Sequence, residues 1–127
     1  MQQDHLFEYA VIRVVPRVER EEFLNVGVIL FCAKQQFLQT RYQLNEGRLQ
    51  ALSPNFEISI LREHLCAFER ICMADNAAGP IGKLDIASRF RWLTASRSTV
   101  LQTSKVHPGL CVNAMETLER LFNQLVV

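Results

Sequence analysis

The chain lacks the segments that carry proteins into or across a membrane. None of its apolar runs approaches the roughly 20 residues that a bilayer span needs. The opening stretch, MQQDHLFEYAVIRVVPR, has an acidic residue and no basic region before its apolar run, and that run stops at Pro16, which is unlike a secretory signal. We therefore expect a cytoplasmic protein whose single domain spans residues 1–127, with residues 1–7 as the one segment that could be disordered.

The chain also lacks an excess of charge of one sign. Its net charge is +1, so it has no overall field that would attract nucleic acid or an anionic membrane. Lysine is scarce, with 3 residues against 11 arginines. Arginine has a planar fork that suits carboxylates, phosphates and ion pairs. Any site for an anion must therefore be local and built on arginine.

Signatures of catalysis and of metal binding are missing as well. The four cysteines have no CxxC spacing and the three histidines are scattered, which predicts free thiols and no metal site. The sequence has no glycine-rich phosphate loop, no GxSxG and no HExxH. We expect no cofactor, and the sequence favours a protein that is not an enzyme.

The apolar patterns predict an α+β domain. Runs rich in β-formers at 8–15, 25–32 and 37–44 read as consecutive strands, and 97–104 reads as a fourth. Helical spacing of apolar residues covers 55–73 with Asn55 as its cap. A short helix is favoured over 84–95, and Asn113 caps a C-terminal helix. The order β-β-β-α-β-α predicts a mainly antiparallel sheet of about four strands with helices packed mainly on one face.

Arg13 is a charge inside a strand that otherwise looks buried on both faces. A buried guanidinium needs a carboxylate, solvent or a bound anion. Glu19 or Glu22, in the following loop, could supply that carboxylate. The loop also contains Arg17 and Arg20, and three readings stay open: a structural loop of ion pairs, a binding surface, or acid–base chemistry by two carboxylates near Arg13.

A second cluster lies in SRFRWLTASRSTVLQTS, where Arg89, Arg91 and Arg97 alternate with Trp92 and hydroxyl residues that include Ser98. Such a set can bind a phosphate or stack on a base, and it can also contact a protein. The alternative reading places Trp92 in the core as a structural residue.

The blocks YAVIRVVPRVEREEFLNVGVILF and FRWLTASRSTVLQTS, with LERLF near the C-terminus, closely resemble a bacterial family, the domain of unknown function numbered three thousand and thirty-seven. The resemblance brings no assigned activity with it. It implies a stand-alone protein that has a protein partner, a kinase of the HipA type. Ser96 departs from the pattern, which often has proline there. The positions that match are Arg13, Pro16, Arg17, Glu19, Glu22, Asn25, Gly27, Arg97 and Ser98.

These observations favour a non-enzymatic protein-interaction module. The resemblance implies that this module is an accessory to a HipA-type kinase. One alternative is a protein that binds phosphate, nucleotide or nucleic acid through its arginines, and a further one is a hydrolase or transferase using Glu19 and Glu22 with Arg13. The two distinctive blocks would meet if the last strand pairs beside the first or the second strand. Arg97 and Ser98 would then lie near Arg13, Glu19 and Asn25.

Overall fold

A computed structural model describes residues 4–97 and 99–127. Within them the chain forms five strands and four α-helices, so the α+β class is confirmed. The strands are β1 (His5–Val14), β2 (Leu24–Cys32), β3 (Phe37–Tyr42), β4 (Leu101–Thr103) and β5 (His107–Cys111). The helices are α1 (Glu46–Leu52), α2 (Ile58–Met73), α3 (Ile86–Leu93) and α4 (Ala114–Leu125).

The strands form one antiparallel sheet in the order β3-β2-β1-β4, and β5 also pairs with β1. The ten-residue β1 is long enough to take both partners along the same edge. Its first half, from His5 to Tyr9, pairs with β5, and its second half, from Ile12 to Val14, pairs with β4. Residues 5–7 therefore lie in the sheet, where β5 pairs with them.

Helices cover both faces of the sheet, three on one face and one on the other. Ala10, Ile12 and Val14 of β1 face a core that includes residues of α1, α2 and α3. Val28 and Leu30 of β2 face the opposite core, which α4 closes. This placement explains why β2 is apolar without alternation, since both of its faces are buried. It also agrees with the expectation that the helices pack mainly on one face.

β2 contains a bulge where it pairs with Ile12 and Arg13 of β1. Ile12 pairs with Gly27 and Arg13 with Asn25, so the extra residue is Val26. Gly27 lies against β3, where an added Cβ would come within 2.7 Å of the Tyr42 Cβ. Gly27 therefore allows close approach of the two strands.

The helix ends agree only in part with the sequence pattern. Asn113 caps α4, and its side-chain oxygen accepts a hydrogen bond from the Glu116 N–H at 3.0 Å. Asn55 was wrongly expected to cap α2, which begins at Ile58. The Phe56 N–H donates to the Ser53 carbonyl instead, so Asn55 lies inside a turn ahead of the helix.

The last part of the sheet also differs from expectation. Among the described residues of the predicted strand 97–104, only Leu101–Thr103 form a strand. β5 was not predicted, because Pro108 and Gly109 read as a terminating signal. No helix in the part of the chain that is described is long and apolar enough to cross a membrane.

Candidate functional site

The two distinctive sequence blocks meet at the edge of the sheet formed by β1 and β4. Arg13 of β1 lies directly opposite Gln102 of β4. Arg13 and Arg97 line the same cavity, which has a volume of about 470 Å³. The predicted proximity of Arg97 to Arg13 is therefore confirmed, whereas Ser98 lies outside the described residues. The cavity is lined by Arg13, Val15, Val18, Glu21, Phe23, Ser96, Arg97 and Gln102.

Arg13 has an aromatic partner where a carboxylate was expected. Its guanidinium carbon lies 4.2 Å from the centre of the Phe23 ring. Its Nε is buried and has no hydrogen-bond partner among the described residues. An unsatisfied buried donor costs about 1–3 kcal/mol, and a cation–π contact contributes about 0.5–2 kcal/mol in return. Arg13 is thus a half-buried cation with unused hydrogen-bonding capacity.

The acidic residues of the β1–β2 loop pair with nearer arginines. Glu19 accepts a hydrogen bond from the Arg17 Nε at 3.0 Å, and Glu22 pairs with Arg20. A hydrogen bond to its own backbone and the Arg17 guanidinium hold the pKa of Glu19 below its usual value. The expected pairing of Arg13 with Glu19 or Glu22 is wrong, because residues two apart in the loop meet first.

The same pairs remove the geometric basis for the hydrolase or transferase reading. Both pairs are exposed to solvent. Arg17, Glu22 and Pro16 line a separate cavity of about 410 Å³ against the α1–α2 connection. Glu19 and Glu22 therefore do not converge with Arg13 on one enclosed site, which acid–base catalysis by these groups would need.

Arg97 and Trp92 form a unit at the end of α3. The Arg97 guanidinium carbon lies 4.4 Å from the centre of the Trp92 ring. Its nitrogens donate to the Leu93 carbonyl at 3.1 Å and to the Trp92 carbonyl, both in the last turn of the helix. A cation placed there also complements the helix dipole. Trp92 is 40% exposed and is not the core residue that was expected, whereas Leu93 is buried.

An apolar groove of about 530 Å³ lies on the other side of β4. Phe68 and Ile71 of α2 and Leu93 of α3 are buried residues that line it, and Trp92 and Val100 line it closer to solvent. Its remaining lining residues are His64, Ala67, Arg97, Thr99, Leu101, Gln102 and Thr103.

The α2 residues of the groove were not predicted as site residues. His64, Ala67, Phe68 and Ile71 repeat at the spacing of any helix face that packs on a sheet. The sequence has no signal for the groove itself, because the groove depends on how far α2 stands from β4.

The groove borders an edge of the sheet that, among the described residues, is free of a further strand, where the Leu101 carbonyl accepts a hydrogen bond from the Thr99 hydroxyl at 2.8 Å. The Val15 N–H donates to the Val100 carbonyl and the Ser104 N–H donates to the Val11 carbonyl, so residues 100, 102 and 104 turn their backbone groups toward β1. By alternation, the backbone groups of Leu101 and Thr103 point away from β1. In the described parts of the chain, no further strand pairs with β4 on that side.

A search against protein-family models found one that spans most of the chain. The model described as protein of unknown function (DUF3037) matches residues 9–126. The chain belongs to this family. Neither a search of curated proteins nor a search of solved structures found a match. The family description names no activity.

Asn25 lies opposite Arg13 in the pairing of β1 with β2, but its side chain, like those of Arg89 and Arg91, has its contacts elsewhere. Asn25 donates to the Leu125 carbonyl at 3.2 Å and lines a cavity of about 80 Å³ near the C-terminus of α4. Arg89 donates to the Leu84 carbonyl at 2.8 Å and lines a cavity beside β3. Arg91 is exposed, 3.7 Å from Glu8. The arginines of the second cluster therefore do not form one basic patch.

The cysteines are free thiols, as the sequence predicts. Cys66 is exposed, whereas Cys32, Cys72 and Cys111 are buried. Burial raises the pKa of the Cys72 thiol to about 11, so this thiol stays protonated and unreactive near neutral pH. The residues that the structure describes contain no group of three or more His, Cys, Asp or Glu side chains that could hold a metal ion.

Proposed function

We propose that this protein is a non-enzymatic interaction module that binds an extended segment of a partner protein along the free edge of β4. The observation that carries the proposal is the coincidence of that edge with the apolar groove of about 530 Å³. Edge strands that remain open act as templates for a further strand. Proteins that recognise extended peptides use such edges, where main-chain hydrogen bonds supply affinity and pockets select side chains.

The residues around the edge favour a peptide over a small polar ligand. Phe68, Leu93 and Val100 present apolar surface, which gains free energy when a partner's apolar side chains cover it. Trp92, stacked under Arg97, adds a half-exposed aromatic surface of the kind that is enriched at protein interfaces. The outward N–H groups of Leu101 and Thr103 can donate to the backbone of an added strand.

A display selection with a library of random peptides tests the proposal. We expect wild-type protein to enrich peptides with apolar residues at every second position. Ala67→Glu places a charge in the groove from an exposed helical position and should weaken binding of those peptides at least tenfold. Ala51→Glu, the same change at an exposed position of α1 outside the groove, should bind them like wild type. Enrichment of no peptide, or equal binding by both variants, would refute the proposal.

A HipA-type kinase is the partner that the family resemblance implies, and it is part of the proposal. Tagged wild-type protein and the Ala67→Glu variant would be purified from host cells in parallel. We expect the kinase in stoichiometric amounts with wild type and with Ala51→Glu, and its loss with Ala67→Glu. A kinase that is absent from the wild-type preparation would remove this choice of partner while leaving the peptide-binding proposal to the display selection.

A second candidate function is the binding of phosphate or a nucleotide. It is favoured by the two guanidinium groups of Arg13 and Arg97 on one cavity of about 470 Å³. Against it, Glu21 lines the same cavity, and Arg17 and Arg91 face carboxylates elsewhere. This function predicts that inorganic phosphate or ATP raises the melting temperature at low salt and that added salt abolishes the effect. No change in melting temperature with either ligand would exclude it.

A further inference from the structure

The apolar groove and the Arg13–Arg97 cavity adjoin, and Arg97 and Gln102 line both of them. Because neighbouring residues of a strand point to opposite faces, Leu101 and Thr103 lie on one face of the sheet and Gln102 lies on the other. Leu101 packs against the core that α2 and α3 cover. Gln102 lies opposite Arg13, on the opposite face. A strand added to the edge of β4 would therefore have both surfaces within its reach.

Alternation then fixes the character of the added strand. The residues opposite Leu101 and Thr103 would point into the apolar groove. The residue between them, opposite Gln102, would point to the side where Arg13 lies. Neighbouring strands are about 4.8 Å apart, so the added strand would run about two spacings from β1. An arginine and an acidic side chain that extend toward each other can bridge that separation.

The Arg13–Arg97 cavity contains arginine that could make such a contact. Neither Arg13 nor Arg97 has a carboxylate within 4.0 Å in the part of the chain that is described. Glu21 is the one acidic residue in the lining, and it projects from an exposed turn. Arg97 already donates to two carbonyls of α3. Arg13 makes no side-chain hydrogen bond among the described residues, and the terminal nitrogens of its half-buried guanidinium, rather than its buried Nε, are the donors that a partner's carboxylate could reach.

We infer that the partner segment carries a carboxylate between two apolar residues, and that Arg13 binds this carboxylate across the edge of β4. The inference rests on the proposed peptide-binding function and adds the chemistry of its ligand. The segment would read apolar–acidic–apolar, with the acidic residue opposite Gln102. Charge complementarity at the centre of the segment would also fix its register, since a shift by one residue would put the acid into the apolar groove.

The test uses the peptides that wild-type protein enriches from the random library. We expect an aspartate or glutamate flanked by apolar residues in the enriched group. A synthetic peptide with this acid changed to the amide, Glu to Gln or Asp to Asn, should bind at least tenfold more weakly. Arg13→Met, which removes the charge and keeps an unbranched chain over Phe23, should lose the same factor for the acidic peptide and be indifferent to the amide change. Arg120→Met, at an exposed position of α4, should bind like wild type.

The outcomes separate this inference from the function on which it rests. Peptides that bind, lose affinity with Ala67→Glu and show no preference for an acid would overturn the inference and leave the function standing. Peptides that fail to bind at all would overturn both. A melting-temperature rise with inorganic phosphate that Arg13→Met abolishes, without a preference for acidic peptides, would overturn the inference in favour of a phosphate site. The amide change in the peptide decides the matter even if Arg13→Met fails to fold.

Discussion

Gly27→Ala should destabilise the protein because β2 and β3 approach too closely there for a side chain. An added Cβ would lie 2.7 Å from the Tyr42 Cβ and 2.8 Å from the Arg41 carbonyl oxygen. Both atoms belong to or adjoin the backbone of β3, so no side chain can rotate away and the strands must separate. Overpacking of a rigid site costs about 1–3 kcal/mol, and we expect the upper half of that range. For a chain of this size, the melting temperature should fall by roughly 8–12 °C.

The matched control is Gly47→Ala in α1, where an added Cβ would meet only the Asn45 Oδ1 at 3.4 Å. Alanine favours a helix by up to about 1 kcal/mol over glycine, so this substitution should leave stability unchanged or raise it. Urea denaturation followed by circular dichroism gives both free energies of unfolding. A loss of less than about 0.5 kcal/mol for Gly27→Ala, or equal effects at the two positions, would refute the close approach of β2 and β3.

Three further predictions concern caps and thiols. Asn113→Ala should lower the free energy of unfolding by about 1 kcal/mol because α4 loses its N-cap, and an unchanged urea midpoint would contradict this. Arg97→Ala should lower the free energy of unfolding by about 1 kcal/mol because the hydrogen bonds at the end of α3 are lost. The same substitution should shift the fluorescence of Trp92, the sole tryptophan. An unaltered spectrum would argue against the contact between Arg97 and Trp92. At pH 8, alkylation followed by mass spectrometry should modify Cys66 rapidly and Cys72 only after unfolding; equal rates would show that Cys72 is not buried.

The first three strands could be predicted from the sequence because their physics is local. β-branched residues, turn residues and Pro16 mark β1, β2 and β3 to within a few residues of their observed ends. The cap of α4 is local too, since Asn113 bonds a backbone group three residues away. Signals of this kind depend on neighbours in the chain, and a single sequence contains them.

β5 could not be predicted because its two unfavourable residues are tolerated for tertiary reasons. Pro108 occupies a position whose missing N–H would point to the free edge of the sheet, where no hydrogen bond is lost. Gly109 leaves room for the Phe7 ring, since a Cβ there would lie 2.5 Å from the Phe7 Cζ. Both explanations need the partner strand, which the local sequence does not reveal.

The candidate site was predicted in outline but not in its contacts. The meeting of Arg13 with Arg97 followed from the idea that the two distinctive blocks adjoin. The predicted carboxylate partner of Arg13 was wrong, because Glu19 pairs with the nearer Arg17 and the Phe23 ring contacts Arg13 instead. Which arginine a carboxylate of this loop pairs with depends on the path of the loop, and charge alone does not determine it.

Site-specific photocrosslinking in host cells tests the central claim most directly. A photoreactive amino acid would replace His64, which lines the groove, or Glu63, an exposed neighbour on α2 outside it. The proposed function predicts that one partner protein crosslinks to position 64 and not to position 63, and that Ala67→Glu abolishes the adduct. Equal adducts at both positions, or an adduct at position 64 that survives Ala67→Glu, would contradict peptide binding at the edge of β4.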